Sequence, residues 1–317
     1  MVTVQHGESV PAQLDSISAD AELRMVPSSR LADGIVGADV LFLYDFSSPA
    51  LESVWSSAEA LRWVQVAAIG VDAVLFDGLI DSDVVVTNSR GIFEEPIAEY
   101  VLGQILAFAK GFRRSGDAQR LHRWEHFDSE PIAGASVTIV GPGPVGRAIA
   151  RLLRAVGMSV HGVGRCARED PDFGSITTDV PAAVADADYV VLAAPLTSQT
   201  RGMVDAGVLD AMRPTARLIN VGRGQLVDTG ALVAALQAGV IAGAALDVVD
   251  PEPLPADHPL WSAPHVSLTP HNSGDIRGWR NLLQQQFIAN FRRYVAGQPL
   301  HNVVDKQMTR YASRGTA

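Results

Sequence analysis

Apolar residues fall along this chain in short unbroken runs, and between the runs the hydrophobic spacing changes to the three-to-four period of an amphipathic helix. Unbroken apolar runs, as opposed to alternating ones, mark strands buried on both faces, as happens when crossover helices cover a parallel sheet. The pattern therefore predicts an α/β chain assembled from βαβ units. Runs at 2–5, 23–26, 40–44, 63–67 and 84–87 predict a first set of strands. A second set is expected at 137–140, 160–164, 189–193, 218–221, 244–248 and 266–268. Between them EEPIAEYVLGQILAFAKGFRRSGDAQR, starting at Glu94, reads as one long connecting helix, acidic where it begins and basic where it ends, as the helix dipole prefers. A helix over about 275–295 is long enough to return toward the first set. Two doubly wound parallel-sheet domains are expected, a smaller one from 1–97 with 290–317 and a larger one over 98–289. The tail 306–317 is polar enough to fray.

Composition narrows the function classes. A length of 317 residues suits two domains at the usual ~150 residues each. Twenty-five Lys and Arg against 35 Asp and Glu give a net charge of −10, which does not favour nucleic acid as a partner. Cys166 is the single cysteine, so no intrachain disulfide can form, and with no metal-ligand spacing around it the thiol reads as incidental. Residues 1–10 lack a basic start followed by an apolar stretch, and no window reaches the ~18 apolar residues of a membrane helix. Neither signal peptide, membrane span nor metal site is expected, and the cytoplasm is the expected compartment.

The most specific local signal follows the run ending at Val140. Gly141-Pro142-Gly143-Pro144-Val145-Gly146 opens the helical stretch RAIARLLRAVG, giving GxGxxG between a strand and a helix. In that context the first glycine makes the turn, the second lets a pyrophosphate reach the backbone, and the third lets helix pack on strand. Pro144 suits a first helical turn, where its missing N–H costs nothing. The second strand then leads into Gly164-Arg165-Cys166-Ala167-Arg168, with no acid before Glu169. An acid in this region would hold ribose hydroxyls; two arginines in its place favour a 2′-phosphate, hence NADP over NAD, with NAD still open.

Ligands of open parallel sheets sit beyond the carboxyl ends of the strands. Here those ends carry Pro195-Leu196-Thr197, Gly222-Arg223-Gly224, Asp247 with Glu252 five residues on, and Pro270-His271. Arg223, Glu252 and His271 are thus expected to converge. Reducing a 2-keto acid needs a fixed cation at the carboxylate and carbonyl oxygen and a proton donor at that oxygen. Arg223 suits the first task, His271 the second, and Glu252 would keep the imidazole charged and oriented.

These residues and the motifs around them resemble the D-isomer-specific 2-hydroxyacid dehydrogenase family, which includes glyoxylate/hydroxypyruvate reductases. The resemblance spans most of the chain: Val66-Ala67-Ala68-Ile69-Gly70-Val71-Asp72, Asn88-Ser89-Arg90-Gly91, Ala98-Glu99-Tyr100, the glycine turn, Ala194-Pro195-Leu196-Thr197 with Thr200-Arg201-Gly202, Leu218-Ile219-Asn220-Val221-Gly222-Arg223-Gly224, Leu246-Asp247-Val248 with Pro251-Glu252-Pro253, and Thr269-Pro270-His271. It implies a Rossmann dinucleotide-binding domain and a flavodoxin-like substrate domain. It further implies that His271 is the acid/base, that Glu252 pairs with it and that Arg223 binds substrate. The dinucleotide would be bordered by Gly141, Gly143, Pro144, Val145, Gly146, Arg165, Arg168, Pro195, Thr200, Val221 and Asp247. Backbone N–H groups of Ile69 and Gly70 would receive the substrate carboxylate across an interdomain cleft. A homodimer formed through the dinucleotide-binding domain, around 100–124, is also implied. Tyr44 and Trp279 read as core residues first, with a substrate-pocket role as the alternative. A corepressor-like protein that senses the dinucleotide without turnover is the alternative reading.

Overall fold

A computed structural model describes residues 1–7, 11, 13–45 and 48–306. The chain divides into two compact units, Met1–Phe93 with the segment from Ile276 onward, and Glu94–Asp275.

The first unit contains β1 (Val2–His6), β2 (Leu23–Pro27), β3 (Val40–Leu43), β4 (Trp63–Val66) and β5 (Val85–Thr87). All pair in parallel in the order β2-β1-β3-β4-β5, the doubly wound flavodoxin-like arrangement. The helix Trp279–Val295 belongs here because Leu283, Phe287 and Phe291, each four residues apart, are buried on one stripe. Phe287 stacks on Phe42 at 4.3 Å between ring centroids and lies 5.4 Å from Trp63. The second crossing between units thus falls at 275/276, ahead of this helix and of the expected 289/290. Lys306, where fraying was expected to begin, is pinned: its ammonium donates to the carbonyls of Leu79, Ser82 and Val84 at 2.6–3.0 Å. The rest of the expected tail lies outside the described residues.

The second unit holds β6 (Ser136–Val140), β7 (Ser159–Val163), β8 (Arg168–Asp170), β9 (Gly174–Thr177), β10 (Tyr189–Leu192), β11 (Arg217–Asn220), β12 (Gly243–Leu246) and β13 (Val266–Leu268). Their order is β13-β12-β11-β10-β6-β7-β9-β8, a Rossmann sheet whose order reverses between β6 and β10, with β8 alone antiparallel.

Two expectations need correction. The connecting helix is two helices, Glu94–Ala109 and Phe112–Arg120. Gly111 breaks it by adopting a left-handed φ of 61°, and a Cβ there would lie 2.6 Å from the Phe127 ring. The β8–β9 hairpin was unforeseen, because Arg168-Glu169-Asp170 has no apolar run to announce it. Its register is fixed by a clamp: Arg147, on the helix Pro144–Ala155, binds Asp170 through both guanidinium nitrogens at 3.0 and 2.7 Å and Asp172 at 2.7 Å.

Candidate active site

The glycine turn sits at the end of β6, at the point where strand order reverses. Gly141 has φ +105°, and a Cβ on it would lie 2.6 Å from the Ala194 backbone nitrogen, so the turn is possible only without a side chain. A Cβ on Gly146 would collide with the Gly141 carbonyl, which is the close helix–strand approach expected of the third glycine. Gly143 differs, because a Cβ there would meet no atom within 4 Å. Packing does not require glycine at 143, whereas a pyrophosphate lying against the backbone does. Pro144 begins the helix, whose free N–H groups and dipole favour an anion. The residues present therefore fit a dinucleotide.

At the adenosine end, Gly164 is packed under Pro142: a Cβ would lie 2.8 Å from that ring. Any acid at 164 would have to displace the glycine loop. Arg165 is exposed. Arg168 is turned aside within β8, its guanidinium 3.6 Å from Asp170 and bonded to the Cys166 carbonyl at 3.3 Å. Cys166 is an exposed free thiol. Beyond β10, Thr200 Oγ1 donates to the Pro195 carbonyl at 2.7 Å and accepts from the Thr197 N–H at 2.8 Å, closing the turn that carries Pro195. Val221 is buried at the end of β11.

The Arg223 turn is built by Asn220, which donates to the Arg223 carbonyl at 2.9 Å and accepts from the Gly222 N–H at 3.1 Å. A Cβ on Gly224 would collide with the Val249 carbonyl. This close approach draws the loop carrying Arg223 against the loop carrying Glu252. Glu252 Oε1 accepts from the Val249 N–H at 2.9 Å, leaving Oε2 to accept from His271 Nδ1 at 2.8 Å. Since a carboxylate only accepts, Nδ1 carries hydrogen and Nε2 is the nitrogen available for proton transfer.

The electrostatics reinforce that pairing. The bond to Glu252 holds the His271 imidazole above the ordinary histidine range, outweighing burial and the repulsion of Arg223, and Asp247 adds to the rise. Burial pushes Glu252 upward, but the His271 and Val249 hydrogen bonds, with the charges of His271 and Arg223, hold it below the usual value. The Arg223 guanidinium donates to the Gly222 carbonyl at 2.8 Å, and its charge bears on both partners.

His271 itself occupies a left-handed backbone conformation, φ 52°, which costs a non-glycine residue on the order of 1 kcal/mol. Asp247, expected beside the dinucleotide, holds it there. Asp247 is buried, 1% exposed; its carbonyl accepts the His271 N–H at 2.8 Å, and its carboxylate accepts from Thr269 Oγ1 at 2.6 Å and from the Asn272 and Ser273 N–H groups at 3.0 Å. This anchoring, the Asn220 turn and the Arg147–Asp170 clamp are missed by sequence reasoning; the conspicuous signal was the acid directly after an apolar run.

Thus the structure joins Glu252 to His271 with Arg223 nearby, all in the second unit. Ile69 and Gly70 follow β4 in the first unit, where the Ile69 carbonyl accepts from the Asn88 side chain at 2.8 Å. Tyr44 packs edge-on against Phe42 at 5.5 Å, and Trp279 against Phe93 at 5.8 Å. Among the described residues no cluster could hold a metal ion, and no helix is long and apolar enough to cross a membrane.

A glycine turn that fits a dinucleotide and a His–Glu pair stand on one Rossmann sheet, and the class to which likeness to known proteins assigns the chain is an oxidoreductase that uses a nicotinamide dinucleotide. Residues 102–273 match the family model described as D-isomer specific 2-hydroxyacid dehydrogenase, NAD binding domain. The chain belongs to the D-isomer specific 2-hydroxyacid dehydrogenase family. It is 32% identical over 271 residues to a glyoxylate reductase of Aeropyrum pernix, covering 82% of this chain and 81% of that one. A Xanthobacter autotrophicus D-isomer specific 2-hydroxyacid dehydrogenase, solved with NADPH and MES, aligns with TM-score 0.82 and 30% identity, covering 97% of this chain and 99% of that one. An NADPH-dependent glyoxylate/hydroxypyruvate reductase of Sinorhizobium meliloti, solved with NADP and sulfate, aligns with TM-score 0.81 and 26% identity, covering 96% and 98%.

Proposed function

We propose that this protein is an NADPH-preferring reductase that converts a small 2-keto acid, of the size of glyoxylate or hydroxypyruvate, to the D-2-hydroxy acid, with NADH as the weaker cofactor. The observation that carries the reading is the 2.8 Å bond from His271 Nδ1 to Glu252, with Arg223 on the adjacent strand end. The glyoxylate reductases among the relatives, and the NADPH or NADP bound in two similar structures, support the substrate class and the cofactor.

In this reading Arg223 binds the keto acid and polarises its carbonyl. His271, kept protonated by Glu252, gives the Nε2 proton to the carbonyl oxygen: an O–H bond forms, an N–H bond breaks, and the neutral imidazole is reprotonated from solvent. The dinucleotide, when bound, supplies the hydride. Gly141, Gly143, Pro144, Val145 and Gly146 would cradle its pyrophosphate, and Pro195, Thr200, Val221 and Asp247 would border its nicotinamide half. Arg165 would take the 2′-phosphate, with Arg168 a lesser contributor because Asp170 draws it away. The Ile69 and Gly70 N–H groups would receive the substrate carboxylate. Homodimerisation through the second unit is supported by the exposed Phe112, Leu121 and Trp124.

The test is the fall in NADPH absorbance on mixing enzyme, NADPH and a panel of 2-keto acids. Turnover with glyoxylate or hydroxypyruvate is expected, abolished in His271→Ala with dinucleotide binding retained. Dinucleotide binding without turnover of any 2-keto acid would contradict the reading.

A further inference from the structure

A chain of hydroxyl groups runs from the helix Glu94–Ala109 to the loop that presents His271. The Tyr100 hydroxyl lies 2.8 Å from Thr269 Oγ1, which lies 2.6 Å from Asp247 Oδ1. The direction of this chain is fixed. Asp247 can only accept, so Thr269 spends its single hydrogen on the carboxylate, and its oxygen must accept from the Tyr100 O–H. Gln104, one turn further along the helix, also bears on the phenol and works against the effect of burial. Burial pushes the Tyr100 phenol up to about 12, so it remains a neutral donor throughout the working range of an imidazole.

The Asp247 end of the chain is the part that matters for His271. The same residue accepts Asn272 N–H, Ser273 N–H and, through its carbonyl, His271 N–H. These bonds bracket Pro270 and His271 and hold the left-handed backbone that aims the imidazole at Glu252. A carboxylate this buried needs its donors; removing one loosens the loop it organises.

We propose that Tyr100 is a positioning residue for proton transfer, acting through Thr269 and Asp247 to fix the backbone of His271 so that its Nδ1 stays bonded to Glu252. This rests on the reading of His271 as the acid. The charged and titratable groups that bear on the imidazole are Glu252, Arg223 and Asp247; Tyr100 changes none of these charges, so its effect must come through geometry.

The experiment compares Tyr100→Phe, which keeps the ring and deletes the hydroxyl, with Thr269→Val, which breaks both links, and Thr269→Ser, which keeps the hydroxyl. Keto-acid reduction is measured as a function of pH, with the NADPH Kd and Tm measured alongside. In Tyr100→Phe the expected kcat falls about tenfold, the worth of one hydrogen bond. Thr269→Val falls further and Thr269→Ser recovers most of the rate. In both deficient variants the pH at which reduction is half lost moves down, because a less well-held His271 loses part of its bond to Glu252, while Kd stays near wild type; Tm stays near wild type in Tyr100→Phe and falls by a few degrees in Thr269→Val, which deprives the buried Asp247 of a donor. Wild-type kcat in Tyr100→Phe, a fall in kcat with an unmoved pH profile, or a weakened NADPH Kd would each overturn the proposal. Full activity in His271→Ala would instead remove the reading beneath it.

Discussion

Two acid–base pairs lie on the same Rossmann sheet and serve opposite ends. In the clamp at β8, Asp170 meets Arg147 through two parallel bonds, accepts also from the Asp172 N–H, and has Arg168 beside it. The hydrogen bonds from Arg147 hold the Asp170 carboxyl below its usual range, and the guanidinium does not release a proton. In the pair beyond β12 and β13, Glu252 meets one nitrogen of an imidazole and leaves the other open. The first arrangement saturates its atoms and holds a hairpin in place. The second leaves a titratable group with one nitrogen fixed and one available. An ion pair signals chemistry when a member can exchange a proton within the working pH range and has an atom unspent.

Breaking the two pairs should therefore have different consequences. His271→Ala removes the proton donor, and keto-acid reduction should fall by about 10²–10⁴ in kcat, measured by NADPH oxidation, while NADPH binding by calorimetry is unchanged. Glu252→Gln keeps the shape but removes the charge that holds the imidazole protonated. Its expected loss is about 10- to 100-fold, that of a hydrogen bond to a charged group. The pH dependence has a definite sign. A raised imidazole pKa keeps the reducing form present as pH rises, and activity is lost as pH passes through that raised value. In Glu252→Gln the descending limb of kcat against pH should shift to lower pH.

The adenosine end sharpens the contrast. Arg165→Ala should lower the ratio of kcat/KM for NADPH over NADH by roughly tenfold or more, since a guanidinium–phosphate contact is charge-assisted; an unchanged ratio would remove the 2′-phosphate role. The smallest effect on catalysis is expected at the clamp. Asp170→Asn should leave the catalytic rate and its pH profile unmoved while costing about 1–3 kcal/mol of stability, read as a Tm lower by several degrees, because the carboxylate is buried and bound by both guanidinium nitrogens. Because the Asp170 pKa is depressed in the fold, its stabilisation is present above the ordinary carboxylate range and is lost as pH falls through the depressed value. The Tm difference between wild type and Asp170→Asn should close only in acid.

The same contrast explains what the sequence made legible. Strands β6, β10, β11 and β12 are nearly continuous apolar runs because both faces are covered, and GxGxxG announces its turn through steric demands local to six residues. Arg223, Glu252 and His271 could be found because each follows such a run. The clamp could not: Arg147 and Asp170 are 23 residues apart, and β8 is a polar triplet that exists because of that partnership. Tyr100 and Thr269 are 169 residues apart, and nothing local to either marks their bond. The break at Gly111 was obscured because apolar and basic residues continue through it in helical spacing, while a Phe127 ring packed on the glycine decides the matter. Asp247 was legible as an acid at a strand end, but its hold on the His271 loop depends on backbone donors that sequence does not display.

The central claim is that Glu252 holds His271 as a protonated donor. Isotope-edited NMR titration of the His271 imidazole, assigned by its disappearance in His271→Ala, tests it most directly. The predicted midpoint lies above the ordinary histidine value in the wild-type protein and falls in Glu252→Gln. A wild-type midpoint at or below the ordinary value, or one indifferent to Glu252→Gln, would contradict the account.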